Sequence, residues 1–267
     1  MKLRRTAVAV AVLGGLCVAA GAQTEASEFR LSGDYDLLVG ETIDRDARLY
    51  QSQSLGAVLV VSDVLSAPLL LLPGTGNVQE VPLMRLVPRA GGGVGLLKGD
   101  ELQTVGRFKI TSDAISFSHG GLSLALKAKG PVVGLTSLEH LIEHSPSYRT
   151  LADAYTPDSK LVAKLKGVGE GYRVRVIFGS WCHVCKNFLP RGLKLEEALA
   201  GSAIRFEYYG LPAAPWEPPD PEVRRLEVKF LPTAIVFKGD REIGRYVGGD
   251  EWQRPEARLW QAIERAQ

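Results

Sequence analysis

The spacing of apolar positions changes character near residue 136. From Phe29 to Leu135 the chain carries short apolar or alternating runs, clearest at Ala57–Val61, Leu69–Leu72, Val94–Leu97, Arg107–Ile110 and Leu122–Leu126. Gly, Pro, Asp and Ser break these runs, which is the pattern of β-strands joined by tight turns. Gly33-Asp34, Gly74–Asn77, Gly91–Gly93 and His119–Gly121 supply the turns. The pattern predicts a small all-β domain, a barrel or sandwich, over residues 29–136, with Gln23–Glu28 as a flexible terminus before it.

After residue 136 the spacing becomes helical. Residues 137–156 read as a helical linker: a two-turn helix from about Ser137, then a second short helix within Ser145–Ala154. Thr156 is placed as an N-cap with Pro157 at the first helical position. Leu161, Leu165 and Val168 would face inward, and Gly167, Gly169 and Gly171 would end that helix. Residues 157–267 then read helix, strand Val174–Phe178, helix Cys182–Ala200 and strand Ile204–Tyr209. A Pro-rich loop (Leu211–Pro221), strands Thr233–Phe237 and Glu242–Tyr246, and a helix from Pro255 follow. Val184, Phe188, Leu195 and Leu199 recur at helical spacing. Gly239-Asp240 fits a two-residue type II′ hairpin turn, which wants Gly first.

Hydrophobic residues make up 45% of the 267 and charged residues 23%, which describes a globular chain. The first 22 residues have a different pattern. Lys2, Arg4 and Arg5 precede an uncharged apolar run, Ala7–Ala20, and Ala20-Gly21-Ala22 offers a small-x-small cleavage site. This is the form of a secretory signal peptide, too short for a comfortable membrane span. Its removal takes the 32 basic residues to 29 against 30 acidic. The resulting charge of about −1 calls for no nucleic acid and no membrane insertion after signal removal. The expected location is export to the bacterial periplasm. Cleavage also takes away Cys17 and leaves two of the three cysteines, Cys182 and Cys185.

Those two cysteines carry the candidate chemistry. A strand leads into Trp181-Cys182-His183-Val184-Cys185, and two intervening residues put both sulfurs in the first turn of one helix. The N–H groups at a helix start lack intrahelical partners and the dipole is positive there. That field favours a thiolate, the species that attacks disulfides. Two other motif-like strings lack the context for function. Leu72–Gly76 (LPGTG) lies mid-chain between strands and reads as a turn. His140-Leu141-Ile142-Glu143-His144 matches H-x-x-E-H, but Pro146 follows at once, and no third ligand accompanies it. No metal is assigned, and no cofactor is called for.

The order of elements, with the cysteines opening the second helix, resembles the thioredoxin superfamily over about Pro157–Gln267. Trp181 stands before the first cysteine, Cys182–Cys185 fills C-x-x-C, Pro190 follows five residues later, and Leu231-Pro232 leads into a strand. The implied fold class is an α/β thioredoxin-like domain at the C-terminus preceded by a small β-rich domain. The resemblance implies a redox-active disulfide between Cys182 and Cys185, with Cys182 the attacking nucleophile and Cys185 the resolving thiol. It implies a cis Pro232 opposite the pair. It also implies substrate contacts from Trp181, Leu231 and Pro232, and protein thiols or disulfides as partners. Two departures stand out. Val176 occupies the strand position where reducing members often have a buried carboxylate, which leaves water or another group such as Glu207 for proton transfer. His183, beside Cys182, would modulate the pair. The activity implied is exported thiol–disulfide oxidoreduction. The alternative is a redox-sensing or copper-binding scaffold, with Cys182, His183 and Cys185 as soft ligands.

Overall fold

The computed structural model describes residues 26–213 and 220–266. Thirteen strands precede residue 129. They are β1 (Ala26–Ser32), β2 (Tyr35–Val39), β3 (Thr42–Asp44), β4 (Arg48–Ser52), β5 (Ala57–Val61), β6 (Leu69–Leu72) and β7 (Asn77–Glu80). Then come β8 (Leu86–Pro88), β9 (Val94–Leu97), β10 (Thr104–Arg107), β11 (Lys109–Ile110), β12 (Ala114–His119) and β13 (Leu122–Ala128). They form an eight-stranded sheet in the order β10-β7-β6-β5-β4-β1-β9-β8 and a five-stranded sheet in the order β11-β12-β13-β2-β3. The continuous apolar runs have a direct cause. Val58, Val60, Leu69 and Leu71 of the large sheet join Leu37, Phe117, Leu124 and Leu126 of the small one in a single core. Their alternates Leu59 and Leu70, with Phe29 and Tyr50, fill a second core on the other side. A strand buried on both faces cannot alternate with polar residues. The predicted flexible terminus is not observed over Ala26–Glu28, which pair with β9 as the start of β1.

The third sheet contains β14 (Gly134–Thr136), β15 (Tyr172–Phe178), β16 (Ile204–Gly210), β17 (Thr233–Lys238) and β18 (Arg241–Val247), in the order β14-β16-β15-β17-β18. β15 and β16 are parallel and the other pairings are antiparallel. The helices are α1 (Leu138–His144), α2 (Ser147–Asp153), α3 (Ser159–Lys166), α4 (His183–Ala198), α5 (Pro221–Arg225), α6 (Gly248–Glu251) and α7 (Pro255–Glu264). At the β17–β18 turn, Gly239 has φ +59° while Asp240 stays out of the left-handed region, as a type II′ turn requires.

This architecture overturns the fold class expected from the sequence, an α/β thioredoxin-like domain behind a small β-rich one. Among the described residues the chain is mostly β-sheet, with eighteen strands in three sheets and few helices. The β-rich part is not small, because thirteen of those strands belong to it. Helical spacing after residue 136 covers little chain: α4 has 16 residues, α7 has ten, and each of the others eight or fewer.

One local expectation also changes. The cap of α3 is Asp158, whose carboxylate accepts the N–H groups of Lys160 and Leu161, rather than Thr156. The buried row of α4 is Cys185, Leu189, Gly192 and Leu193, continuing to Leu195. Of the four apolar positions at helical spacing, Leu195 and Leu199 are buried, whereas Val184 and Phe188 are half-buried. They cover Gly249, where an added Cβ would lie 2.6 Å from the Phe188 ring.

Candidate functional site

β15 carries the chain to the cysteines. Its Val174, Val176, Ile177 and Phe178 are all but fully buried, which fixes where the strand ends. Gly179 follows, and a Cβ there would fall 2.7 Å from the Trp181 indole, so the ring lies across a residue without a side chain. The Trp181 Nε1–H donates to the carbonyls of Leu211 (3.1 Å) and Pro212 (3.0 Å), tying the turn to the chain after β16. Ser180 Oγ accepts the Val132 N–H at 3.0 Å. Cys182 is the N-cap of α4. Its sulfur takes the capping role usually filled by a hydroxyl or carboxylate, accepting the Cys185 N–H at 3.4 Å.

The sulfurs have opposite surroundings. Cys182 is half-buried and Cys185 is fully buried, and both are free thiols. The Cys182 thiol is held down to about 6. The largest cause is the hydrogen bond from the Cys185 thiol; the backbone N–H groups of Cys185 and Val184 and the His183 charge add to it, against the effect of burial. Burial first, and then the hydrogen bond to Cys182, push the Cys185 thiol far up. One sulfur is poised to ionise near neutrality and its neighbour keeps its proton.

The remaining candidates lie at the same end of the third sheet. Ile177 of β15 is in register with Thr233 of β17, which puts Pro232 level with the end of β15. The Leu231–Pro232 peptide is cis. Pro232 is buried and its carbonyl accepts the Gly248 N–H at 2.9 Å, while Leu231 and Cys182 are both half-buried against one core. His183 is exposed, and its Nε2 lies 3.1 Å from the Asn187 amide, one turn along the helix. Pro190 sits buried inside α4, where it removes an N–H that would otherwise bond to the Lys186 carbonyl.

Val176 is 1% exposed and apolar. Glu207 offers no substitute proton acceptor, because Arg173 (3.1 Å) and Arg175 (2.8 Å) hold its carboxylate. His144 uses Nε2 on the Gly130 carbonyl at 2.9 Å. Among the described residues no three His, Cys, Asp or Glu side chains come together as a metal-binding group. In the other half, His119 approaches Ser66 (3.5 Å) and Glu80 (3.3 Å). Both contacts use Nε2, so the ring cannot pass a proton between them in the manner of a catalytic triad.

Three residues beside the pair escaped the sequence reading. Asp34, in the turn between β1 and β2, forms an ion pair with Lys186, the residue after Cys185. Tyr148 of α2 is buried in the same core as Cys185. Asp34 and Lys186 are 152 positions apart, and no local pattern links them. The signal-like segment with Cys17, and Trp216 of the Pro-rich loop, lie outside the described residues.

No family model and no curated protein matches the chain. A protein of unknown function from Pseudomonas aeruginosa is 17% identical with a TM-score of 0.37, over 50% of this chain and 88% of that one. An HIV epitope-scaffold is 18% identical with a TM-score of 0.34, over 49% and 87%. Likenesses this distant carry no argument about function.

Proposed function

We propose that the protein is a thiol–disulfide oxidoreductase acting on protein thiols or disulfides through Cys182 and Cys185. The observation that carries this reading is the asymmetry of the pair. A half-exposed sulfur caps a helix and has its pKa held down to about 6, beside a fully buried thiol whose pKa is driven up. A structural pair has no need of that division, whereas an exchanging pair needs one thiolate to attack and one thiol held in reserve. The sequence resemblance of Trp181–Cys185, Pro190 and Leu231-Pro232 to the thioredoxin superfamily supports the same chemistry.

In the reducing direction, the Cys182 thiolate attacks one sulfur of a partner disulfide. A Cys182–partner S–S bond forms, the partner's own bond breaks, and the departing sulfur leaves as a thiolate that takes up a proton. Cys185 then loses its proton and attacks Cys182 Sγ. The Cys182–Cys185 bond forms, and the second partner sulfur is expelled as a thiolate that accepts a proton in turn. The pair loses two electrons and the partner gains them; the reverse sequence oxidises a partner dithiol. Trp181, next to Cys182 in the chain, and Leu231 and Pro232, at the same end of the third sheet, would meet the partner chain.

An exported, periplasmic location belongs to the same proposal and rests on the leader-like first 22 residues. Among the described residues no helix is long and apolar enough to cross a membrane.

Cys185→Ser tests the reading, because it removes the resolving thiol and should leave partners covalently held on Cys182. Adducts on non-reducing gels of cell extract, reversed by dithiothreitol and absent from Cys182→Ser/Cys185→Ser, are the expected result. A Cys182 that iodoacetamide alkylates readily but that captures no protein and reduces no model disulfide overturns it.

A further inference from the structure

The ionisation of Cys182 depends on the charges placed beside it, and one of them is shared with the other half of the chain. The Lys186 N–H bonds to the Cys182 carbonyl at 3.0 Å, so residues 182 and 186 stand one turn apart on the same side of α4. An unshared ammonium there would favour the thiolate. The Lys186 ammonium is instead ion-paired with the Asp34 carboxylate, both side chains about 30% exposed (31% and 29%).

The contact is built rather than incidental. The Gly33-Asp34 turn joins a strand of the eight-stranded sheet to a strand of the five-stranded one and presses on the junction between α1 and α2. A Cβ on Gly33 would lie 2.0 Å from Ser145 Oγ, so a side chain there would keep the turn from approaching. The Asp34 N–H donates to Ser32 Oγ at 3.2 Å and the Asp34 carbonyl accepts the Lys129 N–H at 2.9 Å. The Lys129 ammonium spans Asp36 (3.0 Å) and the His144 carbonyl (2.7 Å), so its charge is already taken up. Tyr148, 1% exposed, stands on the α2 side. Burial raises its hydroxyl pKa most, and the electrostatic influence of Cys185, Asp34 and Cys182 raises it further, so the turn residue and the cysteine pair act on the same hydroxyl. Among the described residues, the charged and titratable groups tied to the pair by these contacts and charges are Asp34 from the turn, Tyr148 from α2, and His183 and Lys186 from α4. His183 is turned to Asn187.

We propose that the β-rich half tunes the redox pair through this contact, with Asp34 as a positioning residue that claims the Lys186 ammonium and offsets its charge at Cys182. This rests on the exchange reading for its purpose, though not for its test. Freed of Asp34, Lys186 would stabilise the thiolate and with it the reduced pair, making the site a stronger oxidant.

The experiment is a pH profile of Cys182 alkylation by iodoacetamide in the reduced full-length protein, read by mass spectrometry, beside the equilibrium of the pair with glutathione. Asp34→Asn should lower the Cys182 midpoint by about half a unit to one unit and shift the pair to a more oxidising potential. Lys186→Gln should move both the opposite way, and the double variant should return toward wild type. Asp36→Asn, which removes a neighbouring carboxylate engaged with Lys129, should leave the midpoint in place. Single variants that shift the midpoint in the same direction, or not at all, overturn the proposal. If Asp34→Asn does not fold, Lys186→Gln alone decides, and an unmoved or lowered midpoint refutes it. No partner enters these titrations. A chain that titrates as stated but never exchanges disulfides defeats the function proposed above and leaves the charge coupling intact. A flat response in a chain that does exchange defeats only the coupling.

Discussion

The opposed ionisation of the two sulfurs makes the stability of the reduced protein depend on pH in a way the disulfide form cannot share. In the folded chain the Cys182 thiol is held at about 6 against an ordinary value of 9.0. Three pH units correspond to about 4 kcal/mol, and halving that for the solvent screening of a half-exposed group leaves about 2 kcal/mol. The sign follows from proton counting. Between about pH 6 and 9 the unfolded chain still holds the Cys182 proton and the folded chain has released it, so stability rises with pH. The contribution is fully present above about 9 and is lost as pH falls through 6. Cys185 acts the other way: its folded pKa lies above the ordinary 9.0, so the unfolded state ionises first and reduced protein loses stability beyond that pH. Urea unfolding of the reduced and oxidised forms, compared from about pH 5.5 to 9, measures the difference directly. The reduced form should gain about 2 kcal/mol relative to the oxidised form across that range, and Cys182→Ser, which forms no disulfide, should show no such gain relative to the oxidised wild type. A difference that stays flat or declines between pH 6 and 8 would refute the account of a helix-capped thiolate.

Two further outcomes follow from the packing. Leu193→Ala, at a fully buried position of α4, should cost about 2–5 kcal/mol in chemical denaturation, because the surrounding core can collapse only partly onto the cavity. Gly33→Ala should cost about 1–3 kcal/mol in the same assay, since its Cβ would overlap Ser145. By lifting Asp34 off Lys186 it should also lower the Cys182 midpoint in the same direction as Asp34→Asn.

What the sequence revealed and what it hid divide along the range of the interactions. The strands at Ala57–Val61 and Leu69–Leu72 were legible because burial on both faces leaves a continuous apolar run bounded by turn residues. The cysteine pair was legible because its chemistry is carried by residues adjacent in the chain: a strand that ends, a capping sulfur, and the first turn of a helix. The buried row of α4 was not legible, because residues 184 and 188 and residues 185 and 189 form two adjacent apolar rows, and spacing alone cannot say which one the sheet covers. The α3 cap was misread because Thr156 and Asp158 both suit the role, and only the Asp158 carboxylate reaches the free N–H groups. The fold class failed for a related reason. Local periodicity identified helices after residue 136 but not how little of the chain they account for beside eighteen strands.

The Asp34–Lys186 pair lay beyond any such reading, since its partners are 152 residues apart and each has an ordinary surface role in its own segment. A Cys-x-x-Cys at a helix start can run exchange in either direction, and the pair's own residues leave that direction open. On the proposed reading the charge within reach would bias it, and in this chain the carboxylate that meets Lys186 comes from the β-rich half. The opposed pair of charge variants therefore probes more than one ion pair. It asks whether the thirteen strands ahead of the site merely accompany the cysteines or set the potential at which they work.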